Sequence, residues 1–159
     1  MTKSLVYAGR LERLFANLID TLILFVPATV VAVLTSSADA AGELQPSPVG
    51  MVVVFLVHMT YYTAFTAGRW QGTPGKRLLN MYVIHTDHSR MTQRDALERF
   101  LAYVLPSLPM YSSFLPQNIA PMIVIWLSLF WFVPILTHPQ RMGFHDKLCR
   151  TLVVSGKAA

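Results

Sequence analysis

Four apolar runs divide this chain, and their lengths constrain its fold more than any other feature. Leu14 to Thr35 is the longest and is interrupted by Asn17 and Asp20. Val49 to Ala67 carries one histidine, His58. Phe100 to Leu115 is the shortest and holds Pro106 and Pro109. Ile119 to Thr137 is rich in Trp and Phe. A helix needs about 20 apolar residues to cross a bilayer, with a range of roughly 17–25. The first, second and fourth runs fall within that range. The third falls just below it, short enough to be kinked or re-entrant. Only 13% of the residues are charged and 53% are hydrophobic, whereas a water-soluble domain carries about 25% charged residues. This composition excludes intrinsic disorder and points to one membrane domain over residues 1–159.

Charge placement sets the expected topology. Lys3, Arg10 and Arg13 precede the first run. Arg69, Lys76, Arg77, Arg90, Arg94 and Arg99 lie between the second and third, and Arg141, Lys147, Arg150 and Lys157 follow the fourth. Those are all 13 basic residues of the chain, and the loops 36–48 and 116–118 hold none. Cytoplasmic loops carry the excess of Lys and Arg, so four spans with both termini cytoplasmic put every basic residue on one side. Three spans would put the basic tail outside. The basic balance is explained by this rule, and no nucleic-acid partner is expected. The N-terminal run is longer than the roughly 7–15 residues of a signal-peptide core and contains Asp20, so it is read as an uncleaved span despite the small-x-small text Ala38-Asp39-Ala40.

The fold class is therefore an all-α integral membrane protein, a four-helix transmembrane bundle with a small cytoplasmic cap. Candidate cap strands are Leu79 to His85 and Thr151 to Val154, a short two-stranded β element. Thr92 and Asp95 form a capping box that starts a helix feeding the third span. No internal repeat is read from the sequence, so an inverted-repeat transporter within one chain is not expected.

Polar residues inside the spans are the candidate site. An intramembrane carboxylate is expensive unless it faces the bundle, pairs or is protonated. Arg10, Arg13, Asn17 and Asp20 are spaced by three, four and three residues, which puts them on one helix face. Asp20 reads either as a buried structural partner or as an ion- or proton-handling group. His58 lies at a similar depth on the next span, where an Asp20–His58 relay or plain interhelical hydrogen bonding are both open. Arg13 can pair with Asp20 or with Asp146, which follows the fourth span and otherwise caps a helix or lies as a solvated surface charge. Gly75-Lys76 is not a P-loop, because Trp70 and Arg77 stand where Gly and Ser/Thr are required. His85, Asp87 and His88 read as a polar turn, and no metal or cofactor is expected. With neither a nucleophile elbow nor a zinc-protease motif, the chain is not expected to be an enzyme.

Three stretches carry a family resemblance: Arg13-Leu14-Phe15-Ala16-Asn17-Leu18-Ile19-Asp20, then Gly72-Thr73-Pro74-Gly75-Lys76-Arg77-Leu78-Leu79 with Val83-Ile84, then His145-Asp146-Lys147-Leu148-Cys149-Arg150-Thr151-Leu152-Val153-Val154. The chain resembles the RDD family, small bacterial membrane proteins named for one arginine and two aspartates. The resemblance implies Arg13, Asp20 and Asp146 in those roles, with Arg10 competing for the arginine. It implies a bacterial inner (plasma) membrane location and a transport-related role; some members are described as sodium/proton antiporters. The competing function is a non-transporting scaffold or accessory subunit in which Arg13, Asp20 and Asp146 are structural. Four spans are few for an alternating-access machine, so a homo-oligomer or larger membrane complex is expected beside the lipid bilayer. The topology predicts that reporter fusions at Lys157 and at Gly42 give opposite compartments; an external Lys157 would overturn the four-span reading.

Overall fold

The computed structural model describes residues 6–38, 42, 44–45, 47–111, 116 and 118–156. Asp39 and Ala40 of the cleavage-site text, the basic residues Lys3 and Lys157, and the end of the third apolar run lie outside them. Chain order is β1 (Val6–Tyr7), α1 (Arg10–Thr35), β2 (Ser37–Ala38), β3 (Leu44–Gln45), α2 (Pro48–Ala67), α3 (Pro74–Leu78) and β4 (Met81–His85). Then come α4 (Gln93–Val104), a 3-10 helix (Leu105–Tyr111), α5 (Ala120–Thr137), α6 (Phe144–Leu148) and β5 (Thr151–Ser155).

Helix starts follow local chemistry. The Glu12 carboxylate accepts the Gly9 N–H at 2.8 Å before α1. Ser47 Oγ accepts the Gly50 N–H at 2.9 Å, and Pro48 sits in the first turn of α2, where its missing N–H has no intrahelical use. Thr92 caps α4 with Asp95 reaching back, as the sequence predicts. The α-helical ladder stops at Leu105, because Pro106 cannot donate to the preceding turn and the chain tightens to 3-10 geometry.

Three helices, Arg10–Thr35, Pro48–Ala67 and Ala120–Thr137, are long and apolar enough to cross a membrane. Their surfaces are inverted relative to a soluble bundle. Leu14, Leu18, Leu22, Phe25 and Val26 of α1 are exposed, whereas Arg13, Ala16, Asp20 and Leu24 are buried. The expected polar face of α1 does point inward for Arg13 and Asp20; Asn17 is half-buried, and Arg10 turns out to be exposed.

The cap is larger than the sequence suggests. The two expected strands, β4 and β5, pair antiparallel, but β1 adds a third strand in the order β1-β5-β4. A strand as short as β1 leaves no periodic signal, which is why the two-stranded expectation needs correcting. Both faces of the sheet are covered. Met81, Val83 and Val153 pack with Ala16 of α1 on one side. Tyr82, Leu152 and Val154 pack with Met142 on the other.

The fold also contains a repeat, contrary to expectation. Ala67 and Thr137 end α2 and α5, and the elements that follow each helix recur at the same interval. The same interval then holds through left-handed Gln71 (φ 51°) and Arg141 (φ 54°), the short helices α3 and α6, left-handed Asn80 (φ 55°) and Arg150 (φ 50°), and strands β4 and β5. Val83 pairs with Val153, its own counterpart, so a pseudo-two-fold axis passes through that pair. Farther upstream Leu11-Glu12-Arg13 of α1 matches Leu97-Glu98-Arg99 of α4. Both halves run in the same sense, away from the sheet and back, so the repeat is not inverted.

Gly75 lets α3 lie against α1: a Cβ there would meet the Ala16 carbonyl and approach the Asp20 carboxylate within 2.9 Å. Gly75→Ala is expected to lower stability in a fixed detergent by roughly 1–3 kcal/mol, read as a fall in melting temperature. An unchanged melting temperature would mean that α3 shifts freely.

Candidate functional site

Two carboxylates lie at the sheet end of the bundle, Asp20 on α1 and Asp146 on α6, each 0% exposed. Burying a charge requires a partner and hydrogen bonds, and both groups have them. Asp20 Oδ1 accepts from the Tyr61 hydroxyl at 2.7 Å and from the Gly75 N–H at 2.8 Å. Its Oδ2 accepts from the Thr73 hydroxyl at 2.5 Å, with Lys76 Nζ 4.0 Å away. Lys76 Nζ also donates to Thr73 Oγ1 at 3.3 Å. Asp20 thus caps α3 from a neighbouring helix and ties α1 to α2 and α3.

Asp146 joins the two halves. Its Oδ2 accepts from Arg13 Nη1 at 3.1 Å and from the Gly143 N–H at 3.1 Å. Its Oδ1 accepts from Arg99 Nη2 and has His145 Nε2 3.3 Å away. Arg13 Nη2 continues to the Val153 carbonyl at 3.2 Å, and Arg99 Nε to Thr151 Oγ1 at 3.1 Å. Arg13 and Arg99 occupy matching positions of the repeat and grip one carboxylate from opposite halves. Of the two partners the sequence offers Arg13, the structure selects Asp146.

Burial decides two of the protonation states here. It pushes the His145 imidazole down to about 4, and Arg99, Lys76 and Arg13 act in the same sense against Asp146. It also pushes the Lys76 ammonium down to about 8, with Arg99 adding to the shift and Asp20 opposing it. For Asp146 burial acts upward, but His145, Arg99 and Arg13 outweigh it and hold the carboxyl well below its usual range.

The other predicted residues fall around this cluster. Arg10 donates to the Leu136 carbonyl at 2.6 Å and takes no part in the carboxylate network. His58 Nδ1 lies 2.9 Å from the Val54 carbonyl of its own helix. Tyr61, one turn on, reaches Asp20 instead, so the Asp20–His58 relay does not form. His85 Nε2 faces Asp95 Oδ2 at 3.1 Å. Sequence reasoning missed Thr73, Tyr61, Lys76 and Arg99 as site residues. Only Arg99 carried a usable signal, its place in the repeated Leu-Glu-Arg text.

Two cavities flank the cluster. The smaller, about 50 Å³, is lined by Arg13, Asn17, Lys76, Arg99 and His145 among others. The larger, about 690 Å³, is mostly apolar and lies between α1, α2 and the α4–3-10 segment, with His58 on its wall. Tyr62, Phe100 and Tyr103 line both. Their rings pack together, Tyr62 lying 5.9 Å from Phe100 and 5.8 Å from Tyr103 between centroids.

Arg13, Asp20 and Asp146, all buried in this cluster, are the arginine and two aspartates that the sequence resemblance singles out. Residues 7–150 match the RDD family, and the chain belongs to that family. It is similar to the uncharacterized protein YxaI of Bacillus subtilis (strain 168), 24% identical over 164 residues, covering 92% of this chain and 96% of that one. No solved structure matches.

Removing one partner of a buried pair strands the other, at roughly 3–5 kcal/mol. Asp146→Ala and Arg13→Ala are therefore expected to destabilise the bundle strongly, and the double variant to lose less than the sum. Arg10→Ala should combine additively with Asp146→Ala. Melting temperatures in one detergent test this, and additivity for Arg13 would remove it from the clamp. The pH dependence has a definite sign. His145 binds its proton more weakly folded than unfolded, so stability falls as pH drops from about 6.5 to about 4. His145→Gln should remove that part of the acid loss. An unchanged acid profile in the variant would assign the loss elsewhere.

Proposed function

We propose that this RDD protein is a transport-related protein of the bacterial plasma membrane whose working site is the charged cluster at the cytoplasmic boundary. In this reading the α4–3-10 segment is the fourth span and both termini are cytoplasmic. The observation that carries it is the pair of cavities, one at the charged cluster and one more apolar, whose walls share Tyr62, Phe100 and Tyr103. In this reading the three rings part to join the cavities into a route from the far half of the bundle to the cluster. A scaffold with filled interhelical space would have no use for such a route.

The role of Asp20 follows from its contacts. Cation or proton handling through Asp20 is one form of the transport reading. Its three hydrogen bonds and nearby Lys76 favour a positioning role instead. Arg13, Lys76 and Arg99 also make the surroundings unfavourable to a passing cation. The same satisfied carboxylates favour a second reading, a non-transporting accessory subunit held rigid by the clamp.

Proteoliposome flux followed with a pH-sensitive dye separates these. We expect flux in the wild type and most of it in Asp20→Asn, since Asn keeps an acceptor oxygen but cannot titrate. Loss of flux from a well-folded Asp20→Asn protein would make Asp20 the carrier. Absence of flux in the wild type, across sodium, potassium, chloride and carboxylate gradients, would leave the accessory role.

A further inference from the structure

Three cations, Arg13, Lys76 and Arg99, stand against two carboxylates, Asp20 and Asp146, which leaves one positive charge in the buried cluster. His145 does not change that balance, being uncharged at neutral pH. An uncompensated buried charge is among the costlier features a protein carries. It also coincides with unused donors. Arg13 is 7% exposed, its two terminal nitrogens are spent on Asp146 and Val153, and its Nε has no partner among the described residues. Lys76 has three N–H donors, and only one has a hydrogen-bond acceptor among the described residues, Thr73 Oγ1. Both side chains line the 50 Å³ cavity, and neither Asp20 nor Asp146 does. A water needs only about 10–15 Å³ by this measure, so there is room for a small ion.

We infer that this cavity is an anion site that takes one small monoanion, of halide or carboxylate size, between Arg13, Lys76 and Arg99. One negative charge neutralises the surplus, and the unused Lys76 N–H donors supply charge-assisted hydrogen bonds beside the Arg13 and Arg99 guanidiniums that also line the cavity. The inference rests on the proposed function for its location but names what that site binds. The anion has two possible sources, a free ion or the head of an amphiphile whose chain lies in the adjoining apolar cavity across the Tyr62, Phe100 and Tyr103 rings.

Thermal unfolding and calorimetry of the detergent-purified full chain at pH 7 and constant ionic strength test it. Sodium acetate and sodium chloride should stabilise saturably against a gluconate background, because gluconate is too large for the cavity. Lys76→Met removes the surplus charge and should weaken acetate binding on the order of tenfold or more. Ala96→Leu fills the cavity without changing charge and should abolish binding, which keeps the test decisive if Lys76→Met does not fold. Arg10→Ala, outside the cavity, should bind as wild type. Decanoate below its micellar range, competing with acetate and binding more tightly, would assign the site to an amphiphile head; acetate alone would assign it to free ions. A cavity that holds only water gives no saturation, and that result overturns the inference, as does equal binding in Lys76→Met and Ala96→Leu. Anion binding without flux would sink the transport reading and leave this site standing; flux without anion binding would do the reverse.

Discussion

The Asp146 carboxylate is the interaction on which the rest of this structure depends. It is fully buried on a helix of little more than one turn, and such a helix has little stability of its own. What holds it is the grip of Arg13 from the start of α1 and Arg99 from α4, one on each carboxylate oxygen. Each arginine then bonds β5, through the Val153 carbonyl or the Thr151 hydroxyl. One acidic side chain thereby fixes two long helices, one short helix and the central strand of the sheet. In a bilayer the apolar surfaces of helices gain little from touching one another, since lipid tails are equally apolar. Polar contacts at the membrane edge therefore carry more of the specificity than they would in water.

Asp20 does the corresponding work for the first half by a different route. By the interval that relates Val83 to Val153, the counterpart of Asp146 in the first half is Lys76. A lysine cannot accept the N–H groups at the start of α3, so the acceptor comes from outside the helix, from Asp20 on α1. That needs close approach of α3 to α1, which Gly75 permits. The two halves thus share a backbone but solve the same capping problem with carboxylates from different elements.

Much of this arrangement was legible in the sequence. Three long apolar helices, the Thr92 cap, both long strands of the cap and the pairing of Arg13 follow from length, spacing and the cost of isolated charge. Arg99 and Lys76 were hidden by the very rule that set the expected topology. An expected excess of basic residues on one side accounts for every Lys and Arg at once, so nothing in it marks the ones that turn inward. The repeat was hidden because it is kept in backbone conformation. Left-handed Gln71 and Asn80 answer Arg141 and Arg150, and none of these is the glycine that would normally advertise such a turn. Leu-Glu-Arg at 11–13 and 97–99 was the one visible trace. The Asp20–His58 relay failed for a geometric reason: depth along a helix does not specify direction around it, and Tyr61 rather than His58 faces α1.

The charge surplus is a consequence of this broken symmetry. A strictly symmetric protein would hold Arg13 and Arg99 against two equivalent carboxylates, one on each short helix, and the cluster would be neutral there. Here only α6 supplies one, and both arginines converge on it. The other short helix supplies Lys76, a third cation, whose charge Asp20 meets at 4.0 Å rather than in contact. With the capping carboxylate on α1 rather than on α3, Lys76 stands on the wall of the central cavity. The lysine gives the buried Asp20 carboxylate its counter-charge, yet only one of its N–H donors has an acceptor, Thr73 Oγ1, among the described residues. Its remaining donors are met when the space it lines receives negative charge.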